Sequence, residues 1–190
     1  MFSQTKGDVK NYFSKTQEYK LDRLCLETRS GVLIGIRMQS SICNTTTKKE
    51  EAMSEANKVI VRRIAEEVWN EKNFDKIDEF YAPDFVNHDP SSPDVKNREQ
   101  LKQWVEGFNV GFPDQHITIE DMIAEGDKVA KQWSSQGTHT GDFMGIAPTG
   151  KQTRMSGITI YRIADGKVKE CVWGYDTYGF MVQLGVIPSE

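Results

Sequence analysis

The sequence predicts an α+β protein in which helices come first along the chain and an antiparallel sheet follows. Between residues 55 and 111, apolar residues recur at helical spacing, whereas after Pro113 they alternate with polar residues as in strands. The dipeptide Asp165-Gly166 separates two alternating segments, which is typical of a tight hairpin. A sheet covered by helices on one side can curve into a cone, and this is the predicted architecture.

Three helices are predicted before the sheet. The first spans residues 55–71 behind a Ser54 cap. The second is short and is closed by Pro83, because a proline disfavours helix in the residue before it. The third follows Asn97, whose spacing to a glutamine three residues later resembles a capping box, and it ends near Gly111.

Four strands joined by short turns are predicted after the helices. The first begins near Ile117, and the others span residues 129–139, 153–163 and 167–175. The segment DFMGIAPTGK connects the second strand to the third. Its glycines and lysine lack the spacing of a phosphate-binding loop, so that function is excluded.

At 190 residues and 37% hydrophobic, the chain is predicted to form one domain with a tail. Residues 1–52 show no sustained period and are expected to be an extension that is largely disordered or dispensable, with the domain spanning 53–190. The extension carries nine basic against six acidic residues, and the domain carries 15 against 22. An acidic domain argues against nucleic acid as a partner.

The composition also limits location and metal content. There is no apolar run long enough to span a membrane. The three cysteines are too widely spaced for a disulfide framework or a zinc site, so reduced thiols and a cytoplasmic location are expected. The three histidines lie 28 and 23 residues apart, which predicts no metal site.

Four stretches, FVNHDP, GFPDQHITIEDMIAEGDKVA, GTHTGDFMGIAPTGK and YDTYGFMVQLGVIP, together resemble the SnoaL-like polyketide cyclase family, also called SnoaL-like ester cyclases. The resemblance covers roughly residues 57–188. It implies the nuclear transport factor 2-like fold, a deep pocket and a homodimer. It also implies an intramolecular aldol condensation of a polyketide ester without metal or organic cofactor.

The resemblance further implies site residues. Asp176 corresponds to the family's acid/base, and Asn87 and Asp89 correspond to an asparagine and an aspartate that line its pocket. Some members add a histidine in the strand at 153–163, which this sequence lacks. That role is therefore not transferred, and the specific cyclase reaction is less well supported.

The chemistry of an aldol closure gives Asp176 a physical rationale. The reaction begins with removal of a proton next to a carbonyl, and an apolar pocket raises the pKa of an aspartate from about 3.9 toward that of a useful base. We therefore expect Asp176 at the floor of the pocket. The alternative is that Asp176 caps the helix that begins near Thr177, and that Asp89 only builds a turn before Pro90.

Other polar and aromatic residues are candidates for substrate binding. Donors for the enolate are His88, His116, His139 and Asn87. Trp104, Phe108 and Trp133 are predicted either to contact the ligand or to belong to the core. Strand parity places Trp173 and Tyr175 on the face opposite to Asp176, and which face lines the pocket is left open.

Three functions fit these features. The first is a cofactor-independent cyclase or isomerase acting on a small hydrophobic carbonyl compound, and this is the one predicted. The second is a hydrolase in which carboxylates and Asn87 position water, and the third is a non-catalytic binding or dimerisation module. A homodimer through the outer faces of strands 129–139 and 153–163 is expected.

Overall fold

A computed structural model of the chain describes residues 40–90 and 92–188, with side chains from Lys48 onward. The part of the predicted extension that precedes residue 40 lies outside the described residues. None of the helices within the described ranges is long and apolar enough to cross a membrane.

The helices begin earlier than the sequence predicts. Helix α1 spans Ser40–Arg63 and continues as a π-helical segment, Ile64–Asn70. Residues 40–52 of the predicted extension are therefore helical, and the predicted domain start at Met53 falls within α1. A 3₁₀ turn, Phe74–Lys76, leads into the single-turn helix α2, Ile77–Phe80.

Helix α3, Arg98–Gly111, has the predicted cap. The side chain of Asn97 accepts a hydrogen bond from the backbone N–H of Gln100 at 3.0 Å, and the Gln100 side chain accepts one from the N–H of Lys96 at 2.9 Å. These bonds satisfy amides that a helix start would leave unpaired. The last helix is α4, Thr177–Leu184.

The sheet is curved and open and has five strands rather than four. The strands are β1 Tyr81–Asn87, β2 His116–Glu125, β3 Lys128–Thr138, β4 Gln152–Ala164 and β5 Lys167–Tyr175. Their order is β1-β5-β4-β3-β2, and β2 to β5 pair antiparallel as predicted.

Strand β1 departs from the prediction because it pairs parallel to β5 at the edge of the sheet. The sequence analysis predicts that Pro83 closes the second helix, whereas Pro83 lies within β1. An edge strand tolerates proline, since the N–H that proline lacks is not needed on the open side. The sheet is thus mixed, with one parallel pair.

The turn between β4 and β5 matches the sequence prediction. Asp165 and Gly166 both have left-handed backbone conformations, with φ of 53° and 73°. Two such residues in succession are what a two-residue hairpin turn requires, and Asp-Gly supplies them readily.

The strand register aligns inward side chains in rows on the face that the helices cover. One row contains Val129, Tyr161 and Cys171 across β3, β4 and β5. The next contains Lys131, Thr159 and Trp173, and the third contains Trp133, Gly157 and Tyr175. The helices therefore cover the face that carries Trp173 and Tyr175. The sequence analysis left open which of the two faces this would be.

Candidate active site

A cavity of about 90 Å³ lies between the inward face of the sheet and the helices. Its walls are mainly aromatic and include Trp69, Trp104, Phe108, Trp133, Phe143 and Trp173. The rings of Trp104 and Trp173 lie 5.2 Å apart at 34°, which gives the cavity a flat wall. Apolar walls of this kind suit a small, flat, hydrophobic ligand.

Three of the predicted binding residues line this cavity, namely Trp104, Phe108 and Trp133. A role in substrate binding stays a prediction for each. Trp133 is held in place by its indole N–H, which donates to the Thr159 hydroxyl at 3.0 Å. Gly157 makes this position possible, because a Cβ there would lie 2.7 Å from the indole ring.

Lys131 is the charged residue that lines the cavity, and the sequence analysis did not select it. It is 2% exposed and lies between Met122 of β2 and Thr159 of β4. Its Nζ is 5.6 Å from the centre of the Tyr161 ring. Within the described residues, no carboxylate forms an ion pair with Lys131.

Burial lowers the pKa of Lys131 from 10.5 to about 8, and the nearby Cys171 thiol opposes this shift. The cause is the loss of hydration of the ammonium form, with no neighbouring anion to replace it. An amine with such a pKa exchanges protons near neutral pH. The alternation of side chains along β3 could have predicted that Lys131 points inward, because it shares a face with the inward residues Val129 and Trp133.

Two buried phenols accompany Lys131 in the cavity wall. Tyr81 and Tyr161 are 3% and 2% exposed. Burial raises the pKa of both hydroxyls, so both remain protonated and able to donate. The cavity thus combines one titratable amine with neutral donors, among them these two buried phenols and the partly exposed Tyr175, and among the described lining residues there is no Asp, Glu or His.

Asp176 lies outside this cavity. Its side chain is exposed, and it caps α4 by accepting a hydrogen bond from the N–H of Gly179 at 2.8 Å. It borders a second hollow together with Ser134, Arg154 and Gln183. The expectation of a buried Asp176 is wrong, because the strand turns the residue to the outer face. Its catalytic role stays a prediction that this position does not favour.

Asn87 and Asp89 lie at the end of β1 and do not line the cavity. Asn87 accepts from the backbone N–H of Asp89 at 3.2 Å and from the Cys171 thiol at 3.5 Å. Asp89 is 5% exposed. Burial, with the charge of Asp89, raises the pKa of Cys171.

The three histidines are separate from the cavity and from one another. His88 is exposed and lies 3.0 Å from the Glu170 carboxylate, and His116 is also exposed. His139 is fully buried, stacks on Phe112 at 5.0 Å and accepts from the N–H of Thr149. No group of three metal-binding side chains comes together in the described part of the chain.

The sheet, the covering helices and the aromatic cavity define an α+β protein of the nuclear transport factor 2-like kind. The chain belongs to the SnoaL-like polyketide cyclase family, since the sequence model of that family matches residues 59–184. The resemblance found in the sequence is therefore confirmed, together with the fold class.

Solved structures support the same assignment. A candidate polyketide cyclase from Acidithiobacillus ferrooxidans is 32% identical, with 69% of this chain and 95% of that chain covered and a TM-score of 0.63. A candidate SnoaL-like polyketide cyclase from Jannaschia sp. CCS1 is 27% identical, with 72% and 96% covered and a TM-score of 0.66. AclR, a candidate hydroxylase from Streptomyces galilaeus, is 28% identical, with 73% and 85% covered and a TM-score of 0.64. No curated protein matches the chain.

Proposed function

We propose that this chain transfers a proton at the carbon next to the carbonyl of a small hydrophobic compound, in an aldol-type ring closure or an isomerisation. The observation that carries the proposal is the buried amine of Lys131 in an aromatic cavity. Relatives described as polyketide cyclases support ring closure as the reaction type.

The three polar groups divide the work. The neutral amine of Lys131 removes the proton, because a pKa of about 8 makes it a base at near-neutral pH. The hydroxyls of Tyr81 and Tyr161 donate to the carbonyl oxygen, where negative charge develops. The ammonium that forms then lies beside the enolate, where low polarity strengthens their attraction. This route requires neither a metal nor an organic cofactor.

Hydrogen exchange on a simple ketone tests this proposal. In D₂O, the protein is expected to accelerate exchange of the hydrogens next to the carbonyl of 2-tetralone, a bicyclic aromatic ketone. Proton NMR follows the loss of these signals against a protein-free sample at the same pH. An exchange rate equal to that in buffer, although tryptophan fluorescence shows that the ketone binds, contradicts the proposal.

We also propose a homodimer through the outer face of the sheet, in the cytoplasm. Ile158 and Ile160 of β4 are 54% and 43% exposed, side by side on that face. Apolar residues grouped on an open sheet face are typical of an interface. Their burial in a dimer would remove this apolar surface from water.

The dimer predicts a clear effect of charge at this surface. The double variant Ile158→Lys/Ile160→Lys is expected to be monomeric by light scattering after gel filtration, while the wild type is dimeric. Val186→Lys is the matched control, because Val186 is 51% exposed but lies outside the sheet. A monomeric wild type, or a dimer that survives both lysines, argues against this interface.

A further inference from the structure

Lys131 has surroundings that favour a neutral amine. Its cross-strand neighbours, Met122 and Thr159, carry no charge. The ring of Tyr161 lies beneath its Nζ and attracts the ammonium form, but burial acts in the opposite direction and is the larger effect. The titratable groups nearest to it on the other strands are the phenols of Tyr81 and Tyr161 and the thiol of Cys171. Burial raises the pKa of all three, so none supplies a negative charge near neutral pH.

Lys131 also belongs to the wall of the cavity. Lys131 is almost inaccessible from outside, yet it lines the cavity with the aromatic rings. Lys131, Thr159 and Trp173 occupy consecutive positions of one row across three strands. Neighbouring strands lie about 4.8 Å apart, so the backbones of Lys131 and Trp173 are separated by roughly 10 Å.

We infer that Lys131 is a nucleophile that forms an imine with the carbonyl carbon of aromatic ketones and aldehydes entering the cavity. This activity goes beyond the proposed proton transfer, in which the Lys131 amine acts only as a base and forms no bond to the substrate. It requires a neutral amine, a bound carbonyl compound and a proton donor near the carbonyl oxygen.

The reaction balances without a further reactant. The lone pair of Nζ attacks the carbonyl carbon, the oxygen gains a proton, and the nitrogen loses one to give a carbinolamine. Loss of one water molecule then leaves the C=N bond, and addition of one water reverses the step. Thr159 and Tyr161 line the same cavity, and a hydroxyl of either residue would give the departing oxygen its proton.

The fraction of neutral amine supports this role. With a pKa of about 8, a useful share of Lys131 is unprotonated at pH 7. An exposed lysine has a pKa near 10.4, and its neutral fraction is smaller by a factor on the order of a hundred. Lys131 is therefore expected to react before the exposed lysines do.

Reductive trapping tests the inference. The full chain is incubated with 2-tetralone and sodium cyanoborohydride, which reduces an imine to a stable secondary amine. Intact-mass measurement is expected to show one adduct, and peptide mapping is expected to place it on Lys131. Labelling should exceed that of any other lysine by at least about tenfold, given the neutral fractions.

Two variants make the test specific. Lys131→Met is expected to lose the adduct, whereas Lys128→Met, an exposed lysine of the same strand, should keep it. Circular dichroism and tryptophan fluorescence verify that each variant folds and binds 2-tetralone. Adducts spread over exposed lysines, or absent from the Lys131 peptide of the wild type despite binding, overturn the inference.

The two proposals fail separately. If 2-tetralone undergoes hydrogen exchange but no adduct is trapped, Lys131 acts only as a base and the imine is rejected. If the adduct forms on Lys131 without any acceleration of exchange, the imine stands and the proposed proton transfer is rejected.

Discussion

Lys131→Met is expected to slow the protein-catalysed hydrogen exchange of 2-tetralone by roughly 10²–10⁴-fold, the contribution of a positioned acid or base. The reason is that the amine is the titratable base in the cavity wall, and methionine fills a similar volume without a lone pair of that basicity. Initial exchange rates by NMR at constant protein concentration and pH measure the effect.

Asp176→Asn is the informative comparison, because the two assignments of the base predict opposite results. Asparagine caps a helix about as well as aspartate, so α4 should keep its start and the fold should be unaffected. Since Asp176 is exposed and lies outside the cavity, exchange should stay within about tenfold of the wild type. A large loss in Asp176→Asn, with Lys131→Met unaffected, would restore Asp176 as the base.

The layout of helices and strands could be predicted because it depends on local patterns. Apolar spacing located the helices, alternation located β2 to β5, and Asp165-Gly166 fixed the hairpin. Parity also placed Trp173 and Asp176 on opposite faces correctly. These features are set by neighbouring residues, so the sequence alone carries them.

What failed depends on contacts between distant segments. Strand β1 forms by pairing with the edge of β5, which is distant in the sequence. The residues around Pro83 do not indicate that partner. The alternation of side chains could not decide which face of the sheet the helices cover. The helices cover the face opposite to Asp176, so Asp176 lies outside the cavity. The same choice turned Lys131 inward, where a lysine on an alternating strand would ordinarily be assigned to solvent.

The resemblance identified the family, and the site residues that it implies, Asp176, Asn87 and Asp89, lie outside the cavity. It identified carboxylates and an amide, whereas the described cavity wall presents an amine and the phenols of Tyr81, Tyr161 and Tyr175. Family membership therefore supports the kind of ligand better than it supports the catalytic group. The identity of that group depends on which side chains are buried in the cavity wall, and burial lowers the pKa of Lys131 there.

Lys131 should also make stability depend on pH in a specific way. Lys131→Met is expected to raise the free energy of unfolding at pH 7 by up to about 3 kcal/mol, from a pKa that falls from 10.5 to about 8 on folding. At pH 7 the wild type bears the cost of burying an ammonium ion in full. Methionine packs in the same space without that cost.

The sign of the pH dependence follows from proton counting. Between about pH 8 and 10.5 the unfolded wild type holds a proton that the folded protein has released, so its stability rises with pH. The advantage of Lys131→Met should therefore shrink across this window. Urea unfolding of both proteins at pH 7 and pH 9.5 measures it, because titrating groups common to both cancel in the difference.

A difference that stays constant between these two pH values would mean that the folded protein keeps Lys131 protonated throughout. The amine would then be hydrated or paired rather than desolvated, and it could serve neither as the base nor as the nucleophile. Lys128→Met is the control, since that side chain is exposed on the same strand. Its effect should be small and independent of pH, because solvation of an exposed ammonium is the same in both states.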